Sequence, residues 1–268
     1  MVNQNKNKII LKKGKKMIPG GSLLFSKKSE LFLHDEWPSY FSKAKGSNVW
    51  DLNNKKYLDM YFGVGTNTLG YANPKIDKAV IDRIRKSNMS TLNNPQEVEL
   101  AEKLVSLHSW SDMAWFARSG GEANSIAIRI ARAASGKDNV AICGYHGWHD
   151  WYLSVNLNSN NSLKSHLLDG LTTNGIPKSL KRTVFPFNYN DYDHLCKLVE
   201  RHNIGTIKME VCRSTKPNKN FLQKVRRLAT KKNIVLIFDE CTSGFRESYG
   251  GLHKKYGIYP DLAMLAKL

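Results

Sequence analysis

Two polar residues follow short apolar segments near the end of the chain. The apolar run 234–238 leads directly into Asp239, and the run 262–265 precedes Lys267. Because both runs have the length and composition of buried strands, each would deliver its polar side chain to a strand end. A carboxylate can hold the nitrogen of a heteroaromatic ring in its protonated form, and an amine can form a Schiff base with an aldehyde. The pair therefore indicates the chemistry of pyridoxal 5′-phosphate.

A phosphate site is predicted where Ser119, Gly120 and Gly121 begin a helix over 121–135. The free amide groups and the positive dipole end of a helix N-terminus favour an anion, and glycine lets phosphate oxygens approach the backbone. Two glycines at a helix start can also be simple turn residues. The strand predicted just before them favours the phosphate interpretation.

An aromatic loop follows the predicted strand 140–143. Tyr145, at its start, could stack on a flat ring at the carboxyl end of the sheet or could be a packing residue. His146, His149 and Asp150 have residue types that bind metals, but the loop has no evident further ligand, so no metal is predicted.

Strands and helices alternate over most of the chain, which predicts a three-layer α/β fold with a mostly parallel sheet. Strands are expected at 113–117, 140–143, 183–187, 206–211, 234–239 and 262–265, and helices at 95–108, 121–135, 191–202 and 220–232. The predicted organisation is a flexible basic arm over 1–18, a segment with a small hairpin over 19–66, and a large domain over 67–268. A long loop near a ligand is expected over 151–181.

The formal net charge is +18, and the first 29 residues hold eight lysines and no acid. Such an arm could attract an anionic surface, or could reflect a coding bias toward lysine, asparagine and isoleucine; binding of nucleic acid is not predicted. No GxxxxGK[ST] loop accompanies Asp239, which argues against a nucleotide-driven motor. Four cysteines without CxxC spacing and the lack of a long apolar span predict a protein of the reducing cytoplasm, without a membrane segment.

Four motifs stand in a characteristic order. They are Ser119-Gly120-Gly121-Glu122-Ala123-Asn124, Tyr145-His146-Gly147, the run from Asp239 to Arg246, and the run from Pro260 to Lys267. In this order and at this spacing the chain resembles the class III aminotransferases of fold type I, and within them the branch of glutamate-1-semialdehyde aminomutase. The similarity extends from about Pro19 to the end of the chain.

The resemblance implies roles around the cofactor pyridoxal 5′-phosphate. Lys267 would form the Schiff base, and Asp239 would pair with the pyridine nitrogen. The phosphate would bind at Ser119, Gly120 and Gly121.

The same resemblance places Tyr145 on one face of the ring and Cys241 on the other. Glu210 matches a family acid near the cofactor, although Val211 stands where a proline is usual. His146 and Arg246 match family positions, of which His146 is expected in the cofactor site.

The implied activity is transfer of an amino group from a small-molecule donor to a keto or aldehyde acceptor. Two alternatives remain open: an aminomutase, which moves the amino group within one substrate, and a catalytically inactive binding protein. The run 22–26 and the tryptophan-rich loop after Gly147 depart from the aminomutase pattern, so a different amine is a possible substrate. Family members form homodimers and continue past the lysine. We therefore expect this chain to be an incomplete large domain that is inactive by itself.

Overall fold

The computed structural model describes residues 5–22, 24–33, 36–159, 172–212 and 214–267. The chain forms two compact units that meet in the sequence between Asn94 and Pro95. The predicted boundary lies between residues 66 and 67, so the two divisions differ. The domain boundaries of the protein remain a prediction. Leu23 of the 22–26 run, residues 160–171 of the expected long loop, and Leu268 lie outside the described residues.

The first unit contains a small antiparallel sheet and three helices. Its strands, in the order β1-β2-β3, are Phe41–Lys45, Asn48–Asp51 and Lys56–Leu58, so the expected hairpin is present. Its helices are α1 (Lys6–Met17), α2 (Phe62–Gly65) and α3 (Pro74–Ile84), and short 3₁₀ turns cover Pro19–Gly21, Phe25–Lys27 and Ser29–Leu31.

Helix α1 lies within the segment predicted to be a flexible arm. Asn5 caps it by accepting from the amide groups of Asn7 and Lys8, and the Asn7 side chain donates to buried Asp51 at 3.1 Å. The charged composition of this segment does not predict a helix, because α1 has no apolar stripe. Its N-terminal cap and its contact with Asp51 are both made by polar residues.

The second unit is built on a five-stranded parallel sheet. The strands, in the order β5-β4-β6-β7-β8, are Val184–Pro186, Asn139–Cys143, Ile204–Glu210, Val235–Glu240 and Leu262–Leu265. Its helices are α4 (Pro95–Leu107), α5 (Gly120–Ser135), α6 (Asp150–Leu153), α7 (Tyr192–Arg201), α8 (Phe221–Lys232) and α9 (Leu252–Tyr256). Further 3₁₀ turns cover Ser154–Leu157 and Lys178–Leu180.

Helices cover both faces of this sheet, which confirms the predicted three-layer α/β fold. On one face α5 and α6 pack through Ile128, Ala131 and Tyr152 against Ile142 and Ile237. On the other face α7, α8 and α9 pack against the apolar side chains that alternate with these along the strands. Because both faces are buried, the central strand β6 is buried along its whole length.

One predicted strand, 113–117, is wrong. Met113 and Trp115 are 85% and 75% exposed, and no strand among the described residues pairs with this segment. An apolar segment becomes a strand only where a neighbouring strand accepts its hydrogen bonds, and sequence composition does not reveal that neighbour. The first residues of the expected long loop also differ from prediction, since α6 is a buried helix.

Parallel strands end at a common edge, and the site residues meet there. Cys143, Glu210, Asp239 and Leu265 are the final or penultimate residues of β4, β6, β7 and β8. Ligands of open parallel sheets bind at this carboxyl edge. Among the described residues, no helix has the length and apolar character needed to cross a membrane.

Candidate active site

Asp239 is the centre of the site. It lies at the end of β7 with 2% of its surface exposed, and its Oδ1 accepts the amide hydrogen of Cys241 at 3.0 Å. Its Oδ2 lies 2.8 Å from Nδ1 of His146 and 3.6 Å from Nζ of Lys208. Burial by itself would raise the pKa of Asp239, but the charge of Lys208 and the hydrogen bond from His146 outweigh it and lower the pKa to about 2. Asp239 is therefore a buried anion at neutral pH.

His146 is fully buried behind Asp239. Burial lowers its pKa to about 4, although Asp239 opposes this effect, so the ring is neutral at physiological pH. A neutral ring that donates from Nδ1 carries no hydrogen on Nε2, and this Nε2 is buried without a hydrogen-bond partner among the described residues. The side chain of Asn124 donates to the His146 carbonyl at 3.2 Å and holds the loop against α5.

Tyr145 and Glu210 are connected through the backbone. The Tyr145 amide donates to Glu210 Oε2 at 3.2 Å, and the Tyr145 ring packs edge-to-face on Tyr152. Gly144, between β4 and Tyr145, has a φ of +114°, and a Cβ there would lie 2.4 Å from Glu210 Oε2. Only glycine allows this approach, which places the Tyr145 ring at the carboxyl edge of the sheet.

Helix α5 begins beside this edge. The Ser119 hydroxyl accepts the amide hydrogen of Glu122 at 3.2 Å, and Glu122 in turn accepts the amide hydrogen of Arg118 at 2.8 Å. This reciprocal cap fixes the helix start and leaves its first amide groups directed outward. An added Cβ at Gly120 would lie 3.4 Å from Cys241 Sγ, so the helix start adjoins the residues that follow Asp239.

Cys241 lies between the helix start and Asp239. Burial and the charge of Asp239 raise the pKa of its thiol to about 11, so the thiol is neutral and not a nucleophile at physiological pH. The charge of Lys267 opposes this rise in the pKa of Cys241.

Lys267 follows β8, the strand that pairs with β7. The register pairs Asp239 with Met264 and Glu240 with Leu265, so Lys267 is two residues beyond the paired end of the neighbouring strand. Its φ of +56° is unusual for a residue with a side chain and turns the backbone after β8. The expected residues are thus brought to one edge of the sheet, with Arg246 in the turn after β7 and without an assigned role.

Two buried polar groups were missed by the sequence-based predictions. Lys208 lies within the fully buried strand β6, and a lysine inside a strand flanked by helices on both faces is unusual enough to indicate a special role. Glu240 points to the opposite face from Asp239, where its carboxylate accepts from the Leu252 and His253 amides at 2.9 Å and contacts His253 Nδ1 at 2.6 Å. This second carboxylate anchors α9 rather than the site.

The two histidines of the aromatic loop have separate partners. His146 contacts Asp239, whereas His149 Nδ1 lies 2.7 Å from Ser125 Oγ and its Nε2 faces Gly121. Within the described part of the chain, no three His, Cys, Asp or Glu residues form a group that could hold a metal ion.

Comparison with known proteins gives the family. Residues 33–268 match the family described as aminotransferase class-III. The chain is 32% identical over 267 residues to the 3-aminobutyryl-CoA aminotransferase of Cloacimonas acidaminovorans, covering 96% of this chain and 60% of that protein. It is 33% identical over 270 residues to the glutamate-1-semialdehyde 2,1-aminomutase of Methanobrevibacter smithii, covering 98% of this chain and 61% of that protein.

A solved structure agrees with this match. An omega-transaminase from Sphaerobacter thermophilus superimposes with a TM-score of 0.86 at 25% identity, covering all of this chain and 62% of that one. The chain therefore spans about 60% of the length of the curated relatives that it matches. Together with the parallel sheet, the strand-end carboxylate and the glycine-rich helix start, these matches establish that the chain belongs to the class III aminotransferase family.

Proposed function

We propose that the protein transfers amino groups between small molecules with the help of pyridoxal 5′-phosphate. The observation that carries this proposal is the buried Asp239 anion at the carboxyl edge of the sheet. Few carboxylates are buried and ionised without a function that uses the charge, and a cationic ring nitrogen is the partner that this one fits. The family to which the chain belongs depends on this cofactor.

The residues of the site fit the two ends of this cofactor. Its phosphate is a dianion, and the capped start of α5 offers amide groups at Gly120 and Gly121, which carry no side chains of their own. Its ring nitrogen needs an anion to stay protonated, and Asp239 is that anion. His146 Nδ1 and Lys208 Nζ both approach Oδ2 of this carboxylate, and Nε2 of His146 and Nζ of Lys208 have no hydrogen-bond partner in the described residues.

The cofactor would supply an electron sink for the bonds at the amino-bearing carbon of the substrate. Asp239 would hold the positive charge of the ring nitrogen, and His146 would keep the carboxylate in place through Oδ2. Tyr145 would cover one face of the ring, with Cys241 on the other and Glu210 holding the Tyr145 backbone. Lys267 Nζ would bind the cofactor covalently and would take and return the proton at the reacting carbon.

The substrates belong to one of two reaction types. A transaminase needs an amino donor and a separate keto or aldehyde acceptor, whereas an aminomutase uses one molecule for both. Relatives of both types cover nearly the whole chain, namely the aminotransferase acting on 3-aminobutyryl-CoA and the glutamate-1-semialdehyde aminomutases. We favour the transaminase, because the run 22–26 and the tryptophan-containing loop depart from the aminomutase pattern. We also propose that the complete protein is a cytoplasmic homodimer.

The test uses the protein expressed from its complete reading frame. Purified protein is incubated with cofactor, a ¹⁵N-labelled amino donor and an unlabelled keto acid, and the label in each product is followed by mass spectrometry. A transaminase passes the label to the keto acid, and an aminomutase forms its product from glutamate-1-semialdehyde with no second acceptor. A protein that binds the cofactor but converts none of a broad panel of amines would support the inactive binding protein instead.

A further inference from the structure

Lys208 occupies a position where a charged residue needs an explanation. It is in the middle of the central strand β6, where the register pairs it with Ile142 on one side and Ile237 on the other. Its side chain is fully buried, and Nζ has no hydrogen-bond partner among the described residues. Burial of an ammonium group without hydrogen bonds is strongly unfavourable and lowers the pKa of Lys208, and a nearby anion opposes this shift.

That anion is Asp239. Lys208 Nζ lies 3.6 Å from Asp239 Oδ2, which is beyond hydrogen-bonding distance but close enough for strong attraction in a water-free site. The other titratable groups that act on Lys208 are Glu210 and Cys241, and His146 shares the same carboxylate oxygen. Asp239 therefore already has a cationic neighbour before any cofactor arrives.

The Lys208 ammonium would repel any second cation that binds at Asp239. A protonated ring nitrogen and the Lys208 ammonium would share one carboxylate, and in a low-dielectric site their repulsion opposes binding. A neutral ring that lacks this nitrogen would feel no such repulsion. The two kinds of ring thus respond differently to the charge of Lys208.

We propose that Lys208 is a positioning residue that acts through Asp239: it is the counter-ion of this carboxylate in the cofactor-free protein and competes with the cofactor ring nitrogen for it in the bound state. The inference rests on the proposed function. It implies that Lys208 keeps Asp239 ionised in the cofactor-free protein. It also implies that Lys208 lowers the affinity of Asp239 for the protonated ring nitrogen.

The experiment measures binding of pyridoxamine 5′-phosphate, which has the ring nitrogen but no aldehyde and so reports non-covalent contacts alone. The protein is expressed from its complete reading frame, and affinity is followed by absorbance and protein fluorescence. Lys208→Met removes the charge and keeps the length of the side chain. We expect it to bind pyridoxamine 5′-phosphate about tenfold more tightly, because one unit of ring-nitrogen pKa corresponds to a factor of ten.

Three controls isolate the charge. A deaza analogue, in which carbon replaces the ring nitrogen, should bind Lys208→Met and wild type equally. Lys224→Met, a lysine-to-methionine change on helix α8 whose ammonium lies over Tyr192, should change neither affinity. In an Asp239→Asn background, Lys208→Met should no longer strengthen binding, because an amide does not keep the ring nitrogen protonated and a neutral ring is not repelled by Lys208.

The pKa of the bound ring nitrogen, followed by absorbance, depends on the charge of Lys208 and would not change if Lys208 affected packing alone. The pH at which the bound ring loses its proton, followed by absorbance, should be about one unit higher in Lys208→Met than in wild type. Lys208→Gln is the second uncharged variant, for use if methionine prevents folding, and should change affinity and titration in the same direction.

The outcomes separate the two proposals. Weaker binding of pyridoxamine 5′-phosphate by the uncharged variants, or an equal effect on the deaza analogue, would show that Lys208 only supports the fold and would overturn the inference while leaving the proposed function intact. If wild-type protein binds neither ligand, the proposed function fails and the inference with it.

Discussion

His146 Nδ1 and Asp239 Oδ2 are 2.8 Å apart, although the two residues are separated by 93 positions in the chain. Both side chains are buried, and the hydrogen bond between them joins the loop after β4 to the end of β7. The neutral imidazole donates one hydrogen and adds no charge, so it orients the carboxylate without neutralising it. The pair occupies Oδ2 of the carboxylate, while Oδ1 accepts the amide hydrogen of Cys241.

The buried neutral state of His146 predicts sensitivity to mild acid. Its pKa is lowered from 6.5 to about 4 in the folded protein, so between these values the unfolded chain binds a proton that the folded chain does not. Stability should therefore fall as the pH drops through this window, by on the order of 3 kcal/mol in full. Urea unfolding of the cofactor-free protein at about pH 7 and about pH 5 measures the loss.

The control for this prediction is His146→Gln, which should show a smaller loss of unfolding free energy over the same interval. Asp239 does not contribute there, because its pKa is lowered from 3.8 to about 2 and its stabilisation disappears only below that window. Equal losses in wild type and variant would contradict the assignment to His146.

Replacement of Asp239 tests the charge at the ring nitrogen. Asp239→Asn should lower turnover by on the order of 100-fold or more, because an amide cannot hold a cationic ring nitrogen and the electron sink weakens. Covalent attachment of the cofactor at Lys267 should persist. Asp193→Asn on the surface of α7 is the matched control and should keep full activity. Unchanged turnover in Asp239→Asn would mean that another group protonates the ring.

Replacement of Lys267 tests the covalent link. After borohydride reduction of the cofactor-loaded protein, peptide mapping by mass spectrometry should find the cofactor mass on Lys267, and Lys267→Ala should carry none. Lys208→Met should keep the link, since Lys208 faces Asp239 rather than the reacting end of the cofactor. Recovery of the adduct on Lys208, or on any lysine other than Lys267, would refute the assignment.

Gly144→Ala tests the close approach that places Tyr145. The added Cβ would lie 2.4 Å from Glu210 Oε2 on a backbone with φ of +114°, so both steric overlap and backbone strain oppose it. We expect a loss of unfolding free energy of about 2 kcal/mol or more, together with weaker cofactor binding.

Gly175→Ala is the control that measures the cost of backbone strain without steric overlap. Gly175 also has a positive φ, +86°, but no atom of the described residues lies within 4 Å of its added Cβ. Its substitution should reduce the free energy of unfolding through strain alone, and thus by less than Gly144→Ala. Equal losses would indicate that Glu210 moves aside without consequence.

Local patterns in the sequence determined much of this protein. The apolar run before Asp239, the cap and glycines at the start of α5, and the spacing of strand and helix signals predicted the three-layer fold and the family. These features depend on residues close together in the chain, where burial and backbone preference act directly. Lys267 and Asp239 are predicted as site residues because each follows its own apolar strand.

Only the tertiary structure decided which distant residues meet. The order β5-β4-β6-β7-β8 places β6 between β4 and β7. The β6–β7 pairing brings Lys208 to Asp239, and the β4–β6 pairing brings Tyr145 to Glu210. The segment 113–117 has strand composition but no partner strand in the described part of the chain, and α1 has a charged composition with a polar anchor. In each case the deciding interaction is between residues far apart in the chain, and its strength depends on a register and a burial that no local pattern encodes.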